Sequence, residues 1–292
     1  MNLVEIDKDT EGTFFRCMHD ERPENPQVIE LRHRWYDQYK DKGLRAKVLV
    51  RDDKAVVGLC QYIPIEHSPL TGENLFVILC FAVHGYEHLV GNQQGRGYGK
   101  FMLDAIEQDA RNSGAKGMAV RAEYNPEWDK KWSTVPFYEH MGYSRVETSG
   151  PFVLMWKPFV KDAKPPAFFH PTRQPSKKRE KTKVTMFING WCNIDCSCCV
   201  SARGAIAGIE DMVIYEEIDT SDRAKMLSLG IDNAVLPDDA HFRVNENSQS
   251  GELPVVWEVF LDDEPFKPYG TPWTREDLRA EILRLSKKRS QR

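Results

Sequence analysis

The sequence predicts an α/β (α+β) protein of two domains: a mostly antiparallel sheet flanked by helices, then a second, smaller α/β domain. Three observations carry this. Short apolar runs bounded by turn residues alternate with segments whose apolar residues recur at helical spacing, so strands and helices interleave along the chain. At one junction the run Leu75–Val83 leads into Gln94-Gly95-Arg96-Gly97-Tyr98-Gly99-Lys100 and then Phe101–Arg111, the order strand, glycine-rich turn, helix. Between Lys157 and Lys183 the composition shifts to prolines and lysines, which separates residues 1–158 from residues 184–292.

Within the first domain, Leu3–Ile6 reads as a short strand, Thr10–Met18 as a helix, and Gln27–Tyr39 as a second helix with Ile29, Leu31, Trp35 and Tyr39 as its apolar residues. Ala46–Val50, the turn Arg51-Asp52-Asp53-Lys54 and Ala55–Pro64 form an antiparallel hairpin, and Leu75–Val83 adds a strand to it. The glycine turn follows. Alternate glycines admit left-handed backbone, so N–H groups can converge on an anion at the positive end of the next helix. Met102, Leu103, Ile106 and Ala110 make that helix's core stripe. Taken locally, the pattern fits a plain tight turn as well as a phosphate cradle. Asn112-Ser113-Gly114 stops the helix, Met118–Ala122 is a strand, Val135–Tyr143 contains a short helix closed by Gly142, and Phe152–Trp156 is the last strand.

Composition narrows the function classes. With 292 residues, 41% hydrophobic and 29% charged, the chain is long enough for two modest cores. The segment Met1–Asp7 lacks the basic stretch and apolar core of a secretory signal, and no apolar run approaches the roughly 20 residues that cross a bilayer. A cytoplasmic location without membrane contact is therefore expected. A net charge of -4 makes no bulk electrostatic case for nucleic acid. Of the seven cysteines, four fall between Cys192 and Cys199, which suits a reducing compartment better than a disulfide framework.

Strand, Gln94-x-x-Gly97-x-Gly99, helix, strand, then Phe137-Tyr138-x-x-x-Gly142-Tyr143 and a final strand resembles the GNAT family of N-acetyltransferases, whose cofactor signature is Gln/Arg-x-x-Gly-x-Gly/Ala. The resemblance covers residues 1–158, most clearly Leu75 to Trp156. It implies acetyl-coenzyme A as cosubstrate, with the amides of Gln94, Gly95, Arg96, Gly97, Tyr98, Gly99 and Lys100 on the pyrophosphate. Phe81, Ala82 and Val83 would lie beside the pantetheine and thioester, with Phe137 also at the cofactor. Tyr138 matches the position of the general acid that protonates the departing thiolate; otherwise it is a helix tyrosine packed on Met141 and the sheet. Acetyl transfer also needs a neutral amine, and His84, Glu87, His88 and Glu123 are candidate bases, acting directly or through water, with His84 and Glu123 preferred. Each of these could equally be a solvated or structural polar group. Two insertions depart from the family pattern, His84–Gly91 and Pro126–Thr134, and both are expected beside the acceptor cleft. The acceptor, a small-molecule or peptide amine, is therefore not carried over from the family.

Residues 159–183 read as a Pro/Lys-rich linker, its basic run Ser176–Lys183 a solvated one without interleaved aromatics. Beyond it come the strand Val184–Ile188, the strand Val213–Asp219, the helix Ser221–Leu229, a strand over Leu253–Asp263 opened by Pro254, and the helix Thr274–Leu285 with Thr274 as N-cap. This β-α-β-α-β-(β)-α order, with Trp191-Cys192 after the first strand, resembles the thioredoxin-like fold, a domain appended to some bacterial acetyltransferases. The resemblance implies a cis-proline, at Pro254 or, competing with it, Pro237. Asp195 stands where a second active-site cysteine belongs, while Cys196-x-x-Cys199 is displaced toward the helix, whose N-terminus would lower a thiol pKa. Dithiol redox chemistry, soft-metal binding by Cys192, Cys196, Cys198 and Cys199, and inert thiols all stay open. No metal is assigned, because adjacent Cys198 and Cys199 space poorly for a tetrahedral site. The alternative to an acetyltransferase is a redox or metal-handling protein whose first domain senses coenzyme A, and a homodimer is left open.

Overall fold

The chain divides into two units, Met1–Phe169 and His170–Arg292, each with its own sheet. The computed structural model describes residues 1–18, 25–123, 134–149, 152–168, 179–229, 259–267 and 273–290.

In chain order the first unit contains β1 (Asn2–Glu5), α1 (Glu11–Phe15), α2 (Pro26–Tyr39), β2 (Arg45–Val50), β3 (Val56–Pro64), β4 (Leu70–Thr71), β5 (Leu75–Val83) and α3 (Tyr98–Asn112). It continues with β6 (Gly117–Glu123), α4 (Val135–His140), β7 (Ser144–Ser149), β8 (Phe152–Pro158) and β9 (Ala167–Phe168). Seven strands form one sheet in the order β1-β2-β3-β5-β6-β8-β7. All neighbours are antiparallel except β5 and β6, which α3 joins by a crossover that lets them run parallel. Strand alternation sorts the core into two layers. Val48, Leu59 and Ala82 pack with Phe14, Phe15 and Met18 on the α1–α2 side, whereas Leu49, Cys60 and Phe81 pack with Met102, Ile106 and Tyr138 on the α3–α4 side.

Local chemistry explains most element ends. Asn25 caps α2 by accepting from the Gln27 amide at 3.2 Å, and Pro26 occupies the first helical position, where no N–H is needed. Buried Arg32 then reaches from α2 to the carbonyls of Phe14 and Phe15, tying down the end of α1. That helix is shorter than the span expected over Thr10–Met18, because Cys17 and Met18 take left-handed backbone at φ 54° and 61° and turn the chain away. β4, β7 and β9 are strands that the sequence pattern does not announce. Pairing of β9 with β4 places Ala167 and Phe168 in the first unit, so residues 159–168, expected in the linker, hold structure of that unit.

The second unit contains β10 (Thr182–Ile188), α5 (Asn193–Ile206), β11 (Val213–Asp219), α6 (Arg223–Leu229), β12 (Val259–Leu261), β13 (Glu264–Pro265) and α7 (Arg275–Ser290). Its sheet order is β11-β10-β12-β13, with β10 and β11 parallel and the other pairs antiparallel. Thr274 and Asp277 cap α7 reciprocally: the Asp277 amide donates to Thr274 Oγ1 at 3.1 Å and the Thr274 amide to the Asp277 carboxylate at 2.9 Å. Asp262 and Asp263, both left-handed, make the tight β12–β13 turn. Pro237 and Pro254 lie outside the described residues. No helix among the described residues is long and apolar enough to cross a membrane.

Candidate active site

The central strands of the first unit part company midway. β5 and β6 pair from Leu75↔Gly117 to Ile78↔Val120, after which β5 runs on to Val83 and β6 to Glu123. Their separation coincides with a bulge. Gln61 of β3 faces Cys80 and Tyr62 faces Ile78, which leaves Leu79 as an extra residue in β5. A bulge bends and twists the strand that carries it, and beyond this one the two parallel strands are no longer paired, which leaves a gap in the ladder. Phe81, Ala82 and Val83 follow the branch point on one strand, and Glu123, whose backbone pairs with Phe152, ends the other.

At the head of this gap lies the glycine turn. Gly95 and Gly97 have φ of 75° and 79°, and a Cβ on either would meet nothing within 4 Å. Gly97 is also the N-cap of α3, without a side-chain cap and with no acidic residue in the first turn. The first-turn N–H groups of a 15-residue helix therefore lack a carboxylate or hydroxyl competitor and present partial positive charge to any anion. The helix starts at Tyr98, ahead of the expected Phe101, because the left-handed Gly97 takes the cap and leaves Tyr98, Gly99 and Lys100 as the first turn. Lys100 pairs with Asp104 at 2.6 Å on the exposed face, and Arg96 is exposed.

Anchors hold the turn to the sheet. Gln94 donates from Nε2 to the Val83 carbonyl at 3.3 Å, while its own amide donates to Asn92 Oδ1 at 2.9 Å. Gly85 lies against the Gln94 side chain so closely that a Cβ there would come within 2.6 Å of Nε2. Gly99 packs on Phe137, whose ring stacks on Phe81 at 5.8 Å between centroids. The Asn92 contact, which the sequence analysis did not single out, is an i to i+2 turn of a kind asparagine favours, whereas the bulge at Leu79 has no local sequence signal.

The catalytic candidates separate. Tyr138 is 0% exposed on α4, its ring edge-on to Phe81 at 6.5 Å and to Tyr143 at 5.3 Å, so the fold brings it beside the strand that borders the gap. His84 is turned into the loop that follows β5, with Nδ1 3.0 Å from the Gly91 carbonyl. Glu87 and His88 are exposed at the tip of that loop, His88 stacked on Tyr86 at 5.2 Å. Residues 124–133, most of the second expected insertion, lie outside the described residues.

An open, uncapped anion cradle beside the point where two parallel strands stop pairing fits a long ligand with phosphates at one end. Residues 13–143 match the model of the acetyltransferase (GNAT) family. The match lies wholly within the first unit and covers less than half of the chain. Among solved structures, an acetyltransferase of the GNAT family from Staphylococcus aureus is 13% identical, with 55% of this chain and 99% of that chain covered and a TM-score of 0.39. An aminoglycoside 6′-N-acetyltransferase complexed with coenzyme A is 15% identical over 56% of this chain and 100% of that chain, TM-score 0.39. The PaiA N-acetyltransferase from Thermoplasma acidophilum, in complex with coenzyme A, is 12% identical over 54% and 98%, TM-score 0.38. No match is found among curated proteins.

The cysteines of the second unit present a different picture. Cys192 is the half-buried N-cap of α5, and Cys196, Cys198 and Cys199 are fully buried along its first two turns. Cys199 donates to Glu217 Oε1 at 3.2 Å, and the same carboxylate accepts from both Nε and Nη2 of Arg203 and from the Tyr215 hydroxyl. Burial, and then the charge of Glu217, push the Cys199 thiol up to about 12; burial, and then Asp195, push Cys198 up as well. This corrects the expected lowering at Cys199 of the displaced Cys196-x-x-Cys199 pair. Desolvation penalises a thiolate inside the core more than a helix terminus favours it. Among the described residues, no group of three or more His, Cys, Asp and Glu is placed to hold a metal ion.

Proposed function

We propose that the first unit is an N-acetyltransferase that moves an acetyl group from acetyl-coenzyme A to the amine of a small molecule or peptide by direct attack. The observation that carries this reading is the convergence of the open glycine turn, the β5–β6 gap and the Phe81–Phe137–Tyr138 ring cluster. Acetyl-coenzyme A supplies an acetyl group already activated as a thioester. The amides from Gln94 to Lys100 hold its pyrophosphate, and β5 beyond Leu79 holds the pantetheine arm. Phe137, packed between Gly99 and Phe81, keeps turn and strand in register. As the amine nitrogen bonds to the carbonyl carbon the C–S bond breaks; Tyr138 gives its phenolic proton to the leaving sulfur, and the amine's proton passes to Glu123 or to water. Tyr138→Phe is expected to lower kcat by about 100-fold or more while leaving acetyl-coenzyme A binding intact, measured by steady-state kinetics and calorimetry. Unchanged turnover removes the acid assignment.

The second unit is read as a thioredoxin-like domain, supported by its parallel β10–β11 pair, the antiparallel β12 and β13, and Trp191-Cys192 leading from the first strand into a helix. Burial of Cys196, Cys198 and Cys199 favours inert thiols over a redox or metal-handling function with a coenzyme A sensor. All seven cysteines are free, which suits a cytoplasmic location.

A further inference from the structure

We propose that His84 is a positioning residue that sets the glycine turn for acetyl-coenzyme A, and that it is not the base that takes the amine proton. The inference rests on the acetyl-coenzyme A reading of the first unit and extends it to the inserted loop, residues 84–93.

That loop is closed at its own base. The His84 amide donates to the Val57 carbonyl at 2.9 Å, so its backbone still belongs to the sheet, and the Gln93 amide returns to the His84 carbonyl at 2.8 Å. Inside the closure the His84 ring is 2% exposed, with Nδ1 3.0 Å from the Gly91 carbonyl. A carbonyl oxygen only accepts, so Nδ1 carries the proton and acts as a fixed donor. Gln93, also 2% exposed, donates to the carbonyls of Val90 and Gly91 and accepts from Arg51 at 3.3 Å. One residue later Gln94 is bound to the Val83 carbonyl, and the glycine turn begins. The chain therefore leaves the sheet at His84, returns to the same residue at Gln93, and enters the cradle from a clamped position. The His84 side chain bonds across the loop from its sheet end to Gly91.

The same geometry removes the ring from the acceptor. With Nδ1 committed, only Nε2 could take a proton, and Nε2 is buried, edged by the rings of Tyr86 and His88 at 5.6 and 6.0 Å, and makes no hydrogen bond among the described residues. Losing the Nδ1 donor would leave the Gly91 carbonyl without that bond and free the loop, and the pyrophosphate site would have to be ordered at the expense of binding.

The test is acetyl-coenzyme A binding by calorimetry without any acceptor, on the full chain, with thermal melting as the check that each variant is folded. An asparagine amide places its nitrogen near the Nδ1 position and a glutamine amide near Nε2, so the two separate a clamp from other uses of the ring. His84→Gln and His84→Ala are expected to weaken binding about tenfold or more, and His84→Asn to restore it to within about threefold of the wild type. Unchanged binding in His84→Ala, or equal weakening in His84→Asn and His84→Gln, overturns the clamp. A base has no reason to affect cofactor binding when acceptor is absent. Failure of the wild-type chain itself to bind acetyl-coenzyme A overturns the reading of the site, and the clamp with it.

Discussion

Two helices of this chain follow sheet strands through short turns, and their starts differ in nearly every respect that matters to chemistry. At α3 the entering residues are exposed glycines in left-handed conformation, with open space around each would-be Cβ. At α5 the entry passes buried Trp191 and half-buried Cys192, and the next three cysteines are wholly enclosed. Both helix starts offer the same partial positive charge, typically about 0.3–1 kcal/mol for a nearby anion. What differs is who occupies the space in front of it. Where the space is open, the charge is available to a phosphate; where protein fills it, desolvation outweighs the dipole and the thiols stay protonated.

The largest effect should come from putting a charge into the open turn. The φ of 75° at Gly95 strains any L side chain even though a Cβ there meets no neighbour, so Gly95→Asp and Gly95→Asn should both melt about 5 °C below the wild type. The carboxylate of Gly95→Asp would face the pyrophosphate, weakening acetyl-coenzyme A binding by about 100-fold, or about 2.7 kcal/mol. The neutral Gly95→Asn should lose about tenfold less. Equal losses in the two variants would show that the turn contributes shape and not field.

A smaller effect tests the closed site. Glu217→Gln breaks the two-pronged pair with Arg203 and is expected to cost about 2–3 kcal/mol at pH 7, read by urea denaturation through the fluorescence of Trp191 and Trp273. Burial is the largest single influence on the Glu217 carboxyl and raises it, but the bonds to Arg203, Tyr215 and Cys199 together outweigh it and hold the group below its ordinary 4.5 in the folded chain. Its contribution is therefore present above about pH 4.5 and is lost as pH falls through the lower folded value. The difference between wild type and Glu217→Gln should shrink on acidification below pH 4.5; a constant difference down to pH 3 would contradict the assignment.

The smallest effect concerns Cys192. Native N-ethylmaleimide labelling should reach Cys192 well before Cys196, Cys198 and Cys199, and Cys192→Ser should change stability by less than about 0.5 kcal/mol. Labelling of Cys196 and Cys199 as fast as Cys192 would reopen thiol chemistry in the second unit.

Much of the fold was legible because the information is local. The span Leu75–Val83, the glycine turn and the Thr274 cap follow from what those residues prefer on their own: a continuous apolar run, permitted left-handed backbone, a hydroxyl that satisfies a helix N–H. β7 was missed because Ser144–Ser149 carries few apolar residues and is held by β8. Only the tertiary structure decided that β5 and β6 separate after Ile78, because the bulge at Leu79 is set by the facing register of Gln61 and Tyr62. It likewise turned His84 into its own loop through Gly91, and closed the cysteine cluster through Glu217. A residue carries its own backbone preferences in its covalent structure, but burial and register belong to pairs, and here the partners lie on other strands and loops of the chain.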